Sequence, residues 1–176
     1  MDNILSVSRD INISALINET SAREVFKNWI DKWHPNYAVT LVFDSTNERL
    51  VTAVRKNNLL LKFLKRRFYG KHYINKLRKI RSSRVSPAMF SFFEKHKAGG
   101  YHIHAVMWEP PNPNKALDLE IEIKRQWFKL TKSKNVVVKP YKKNLGIGWV
   151  GYATKTFGEK LNYDDRFEIY DWNPID

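Results

Sequence analysis

A chain of 176 residues is the length of one ordinary domain, and 43% hydrophobic with 14% aromatic residues supplies a core, so disorder throughout is excluded. Cysteine is absent, which excludes disulfides, thiolate zinc sites and a cysteine nucleophile and leaves any metal to histidine and carboxylate. The net charge is +13, and no uncharged apolar run is long enough to cross a bilayer, so no membrane partner is expected.

Residues 1–20 are polar with scattered aliphatics and read as a flexible arm; they lack the basic start and apolar block of a secretory signal. Thr20 or Ser21 can cap a helix carrying Val25, Phe26, Trp29, Ile30 and Trp33 at helical spacing, which Pro35 ends. Tyr37 to Asp44 predicts a buried strand. From about Thr46 to Phe68 the spacing predicts a helix, with Gly70 as a break and a second basic helical piece around Tyr73 to Ile80. Pro87 to His96 and Tyr101 to Trp108 predict a hairpin through Lys97-Ala98-Gly99-Gly100. Three prolines (Pro110, Pro111, Pro113) then force a loop. A helix is expected over Leu117 to Leu130, although Ile121 and Ile123 also suit a strand; Val136 to Val138 is a short strand, and Leu145 to Phe157 a glycine-interrupted helix. This order predicts an α+β domain, a central antiparallel β-sheet flanked by helices. The domain is expected over residues 21–158, with a basic helical insertion at about 46–84 and an acidic aromatic tail, 159–176, packed on it.

The charge is concentrated. Twelve basic residues and no acid fall between Arg55 and Arg84, and nine more basic residues without an acid lie between Lys124 and Gly158. Focused positive charge of this kind attracts a polyanion, most often nucleic acid.

Two groups of residues carry chemistry. Side chains two apart on a strand share a face, so His102 and His104 point together while Ile103, Ala105 and Met107 supply the apolar side. Glu94, eight residues earlier and across the glycine turn, can join them; two imidazoles and a carboxylate leave open positions on a divalent metal. Oxygen-rich substrates such as phosphates would favour Mg²⁺ or Mn²⁺. The second group is Gly151-Tyr152-Ala153-Thr154-Lys155. On a helix, Val150, Ala153, Thr154 and Phe157 form one stripe, leaving Tyr152 and Lys155 together on the other side. A tyrosine there can be a covalent nucleophile or simply pack at the surface.

Three stretches together resemble the HUH endonucleases, specifically the single-tyrosine Rep proteins that initiate rolling-circle replication. FEKHKAGGYHIHAVMW has the glutamate, the turn and the His-hydrophobic-His strand in that family's arrangement; GYATK is similar to its Tyr-x-x-Lys motif; VTLVF, Val39 to Phe43, is similar to its first motif. The resemblance covers about Tyr37 to Phe157. It implies that Glu94, His102 and His104 bind Mn²⁺ or Mg²⁺, and that Tyr152 attacks single-stranded DNA to form a 5′-phosphotyrosine. Lys155 would help position the phosphate, and Thr40 on the first-motif strand would take part in DNA recognition. It further implies origin DNA, a separate helicase and a host polymerase as partners, and a small replicon (phage, virus or plasmid) as the source. The location would be cytoplasm by default, or the nucleus for a eukaryotic virus. No Walker-type glycine loop is present. The long basic block departs from a minimal Rep nuclease and reads as an added DNA surface. Arg66, Arg67, Lys71, Arg78, Lys79 and Arg81, with Lys142 and Lys143 further on, would meet phosphates, and Phe68, Tyr69 and Tyr73 would be available for stacking.

The nearest alternative is another HUH enzyme, a single-tyrosine transposase or a relaxase; Lys155, and a tyrosine that follows the histidines, favour Rep. From a different class comes a non-catalytic, RRM-like nucleic-acid-binding domain with the same strand order, but such a domain needs exposed aromatics where this strand carries His102 and His104.

Overall fold

The computed structural model describes residues 19–72, 88–96, 99–109, 118–142, 148–153 and 167–170. Along the chain these form α1 (Glu19–Lys32), β1 (Tyr37–Val42), α2 (Leu50–Tyr69), β2 (Ala88–Lys95), β3 (Tyr101–Trp108), α3 (Leu119–Thr131), β4 (Val136–Pro140), α4 (Gly148–Ala153) and β5 (Phe167–Tyr170). The strands make one sheet in the order β4-β1-β3-β2-β5, every neighbouring pair antiparallel. The expected α+β architecture is present, and its first four strands have the split arrangement in which β1 and β3 lie at the centre.

Both faces of the sheet are covered. Val39, Leu41, Met89, Phe93, Ile103, Ala105 and Met107 pack on one side against Leu60, Leu61, Leu64 and Phe68 of α2 and Leu119, Ile123 and Trp127 of α3. On the other side Phe90, Phe92 and Val106 pack against Ile30 of α1 and Val150 and Ala153 of α4. This explains why β2 reads AMFSFF rather than alternating: Ala88 to Phe93 are all buried, as strands sandwiched between helices are.

Local chemistry sets most boundaries. In α3, Asp118 caps the helix by accepting from the Ile121 amide at 3.1 Å, and Glu120 and Glu122 lie in the first turn, where the helix dipole favours acids. The strand alternative there is excluded by exposure. Two residues apart on a helix face nearly opposite ways, and Ile121 is 61% exposed while Ile123 is fully buried. The second helix begins at Leu50 rather than Thr46, because Thr46 and Asn47 form a turn, with the Asn47 amide donating to Ser45 Oγ at 3.2 Å. It ends at Gly70, whose φ of 83° only glycine adopts readily and whose N–H donates to Arg66 O. After α1 the chain turns through His34, at φ 49°, into Pro35.

Part of the acidic tail, Phe167–Tyr170, is an edge strand paired with β2. Residues 1–18, the second basic helical piece around Tyr73 to Ile80 and the proline loop lie outside the described residues. Among the described residues, no helix is long and apolar enough to cross a membrane.

Candidate metal centre

The β2–β3 hairpin register places Glu94 directly opposite His102 and Phe92 opposite His104, so Glu94 and both histidines share the face covered by α1 and α4. Two glycines shape the turn: Gly99 and Gly100 have φ of 96° and 72°. The His96 amide donates to Gly100 O and the Gly99 amide to His96 O, each at 2.9 Å. Gly100 also lies against the loop leading into α2, where a Cβ would sit 2.3 Å from Thr46 O.

Three donor atoms converge from this frame. His102 Nε2 lies 2.9 Å from Glu94 Oε2 and 2.8 Å from His104 Nε2, and His104 Nε2 lies 3.0 Å from the same carboxylate oxygen. Both imidazoles are buried and the carboxylate is nearly so. Glu94, His102 and His104 can therefore hold a metal ion, and three protein donors would leave room for further ligands.

A supporting contact orients one ligand. Thr40 on β1 is the register partner of His104, and its Oγ1 lies 3.1 Å from His104 Nδ1. With that nitrogen carrying the proton and donating to the hydroxyl, the Nε2 lone pair is free for the centre. Thr40, expected to take part in DNA recognition, thus stands beside a candidate metal ligand. Among the described residues His102 has no equivalent: its buried Nδ1 has no hydrogen-bond partner there.

The tyrosine ring packs against one member of this cluster, His104. On α4, Val150, Gly151 and Ala153 are buried, and Tyr152 is 53% exposed. Its ring centroid lies 5.2 Å from that of His104, edge to face. Trp149, one turn earlier, also meets His104, at 5.8 Å, and Phe92 at 6.5 Å. The sequence reading missed Trp149, although its position three residues before Tyr152 signals the shared helix face. It also missed His96, whose ring centroid is 4.3 Å from that of His102. The signal there was strand parity with Glu94. Lys155 lies outside the described residues.

The basic candidates are dispersed. Arg66 and Arg67 lie in the last turn of α2 and Lys71 just after it, and α2 packs on the opposite face of the sheet from the candidate metal centre. Arg66 and Lys71 are exposed, while Arg67 pairs with Glu122 of α3 at 3.3 Å, an acid that Arg125 also holds at 2.7 Å. Burial pushes the Glu122 pKa up, but hydrogen bonds from Arg67, Gln126 and Arg125 outweigh it and leave the carboxyl below its ordinary value. Phe68 and Tyr69, expected to be available for base stacking, are instead buried in the core, because the last turn of α2 packs on the sheet. Lys142 is exposed beyond β4, next to Tyr141, which packs with the α1 and α4 side and donates to Asp31 Oδ1 at 2.6 Å. On that same face β4 presents Val137 opposite Thr40 and Lys139 opposite Ala38, both exposed. Arg78, Lys79, Arg81 and Lys143 lie outside the described residues.

Compared with protein-family models, with curated proteins and with solved structures, the chain matches none.

Proposed function

We propose that the chain is a metal-dependent, site-specific nicking and joining enzyme for single-stranded DNA, of the HUH Rep type. The observation that carries this reading is the convergence of Glu94, His102 and His104 next to an exposed tyrosine, Tyr152, on a separate element. The +13 charge and the sequence motifs Glu…His-x-His and Tyr-x-x-Lys support it.

In this reading Tyr152 Oη attacks the phosphorus of a DNA phosphodiester. The P–O3′ bond breaks, the leaving 3′ oxygen takes a proton, the phenolic proton passes to solvent, and a 5′-phosphotyrosine remains. Attack by a 3′-hydroxyl on that link reverses the step and joins strands without spending further energy. A bound divalent ion, Mn²⁺ or Mg²⁺, would polarise the scissile phosphate and offset its developing charge. Glu94, His102 and His104 would hold the ion, Thr40 would set the His104 tautomer, and Lys155 would neutralise the phosphate beside Tyr152. The freed 3′-hydroxyl would prime rolling-circle replication of a small replicon, with a separate helicase and a host polymerase.

The strand order also suits an RRM-like, non-catalytic nucleic-acid-binding domain. Strand exchange separates the two readings. With Mn²⁺ and two labelled pools of single-stranded oligonucleotides, a nicking and joining enzyme yields chimeric strands that disappear with chelator. A binding domain yields tight, metal-independent association and no chimeras.

A further inference from the structure

We infer that His96 is a positioning residue for His102, holding the ring of that metal ligand by contact rather than by a hydrogen bond; the inference rests on the metal-centre reading above. The two histidine ligands are restrained differently. His104 is held at its outer nitrogen by Thr40 Oγ1, whereas the buried outer nitrogen of His102 has no hydrogen-bond partner among the described residues. An imidazole turns about a broad, roughly two-fold terminal torsion, so a ligand without an outer hydrogen bond needs another restraint to keep Nε2 aimed at the centre.

His96 supplies one. It lies two residues after Glu94, so strand parity carries its side chain to the metal face, and its ring centroid lies 4.3 Å from that of His102, tilted by 48°. Its backbone is held by both turn hydrogen bonds, to Gly100 O and from the Gly99 amide. Gly100 is in turn wedged against the Thr46 backbone. His96 is itself exposed, and its nitrogens are not among the converging donor atoms. The His96 backbone is thus anchored by Gly99 and Gly100 while its ring lies against that of His102.

The test compares Mn²⁺ binding by the full chain with that of His96→Ala and His96→Phe, alongside the Co²⁺ absorption spectrum of each. His96→Ala is expected to bind Mn²⁺ about 10-fold more weakly, the lower end of what losing a hydrogen-bonded outer-shell partner costs, since here the support is by contact alone. His96→Phe, which keeps the ring and removes its nitrogens, is expected to bind within about threefold of the unaltered protein with an unchanged Co²⁺ spectrum. The metal-free melting temperature is expected to stay unchanged in both, and His96→Gln replaces alanine if that variant loosens the turn. Unaltered Mn²⁺ affinity in His96→Ala overturns the inference. Equal loss in the alanine and phenylalanine variants also overturns it, because His96 would then act through a nitrogen. Absence of Mn²⁺ and Co²⁺ binding by the unaltered protein is a separate result, which overturns the metal centre itself.

Discussion

Thr40 Oγ1 and His104 Nδ1 meet at 3.1 Å across neighbouring strands, so a residue of β1 is placed to orient a β3 histidine of the candidate metal centre. Removing the hydroxyl while keeping the shape is the direct check. Thr40→Val is expected to weaken Mn²⁺ binding by about 10–100-fold, and Thr40→Ser to restore most of it. Titration calorimetry reads both. A valine variant with undiminished affinity would assign the tautomer to some other contact.

Metal should also stabilise the folded chain, because the three donors come together only there. At about 100 times the dissociation constant a ligand adds about 2.7 kcal/mol, which for a domain of this size raises the melting temperature by about 5–10 °C. Mn²⁺ is expected to do this for the unaltered protein, and the shift is expected to vanish in Glu94→Ala and in His104→Ala. Differential scanning calorimetry with and without chelator measures it. A shift that survives both substitutions would place the ion elsewhere.

Gly100 ties the hairpin to the loop before α2, and an added Cβ would collide with backbone, which cannot swing aside. Gly100→Ala combines a strained φ of 72° with that collision and is expected to cost about 2–5 kcal/mol. Gly99→Ala, whose Cβ meets Thr46 O at an ordinary 3.4 Å, is expected to cost less despite its φ of 96°. Chemical denaturation of the two variants ranks them; equal losses would contradict the close approach as the cause.

The pH dependence of stability has a definite sign above neutrality. Burial lowers the Lys65 pKa to about 8 from an ordinary value of 10.5. Between those values the unfolded chain binds the extra proton, so this group adds stability as pH rises from about 8 toward 10.5. Tyr69, through burial, and Tyr37, through burial and the nearby Glu109, are raised to about 12 from 10. They oppose that gain above about pH 10, because the folded chain then keeps protons that the unfolded chain has lost. Stability measured by urea denaturation is expected to climb from pH 8 to about 10, and Lys65→Met to flatten that climb. An unchanged slope in the variant would remove Lys65 as its source.

Much of this arrangement was legible in the sequence because it rests on local periodicity. Strand parity alone put His102 and His104 on one face, and the glycine turn brought Glu94 opposite them. Helical spacing left Tyr152 off the apolar stripe of Val150 and Ala153. What escaped depends on contacts between distant segments. That Thr40 orients His104 follows from the β1–β3 register, which no local pattern encodes. That Phe68 and Tyr69 are buried follows from how the end of α2 seats on the sheet, although both lie among basic residues that suggested an exposed surface. The capture of Phe167–Tyr170 as an edge strand is likewise a long-range pairing. Arg67 was read as a phosphate contact from charge alone; its partner Glu122 lies 55 positions away.

In the proposed reaction Tyr152 becomes bonded to DNA, and one experiment detects that bond. The full chain is incubated with Mn²⁺ and a mixed pool of labelled single-stranded DNA, resolved on a denaturing gel, and the shifted band is digested for mass spectrometry. The expected result is a nucleotide adduct on the peptide containing Tyr152, lost in Tyr152→Phe and lost with chelator. A band that persists in Tyr152→Phe, or no adduct across the pool while DNA still binds tightly without metal, would contradict it.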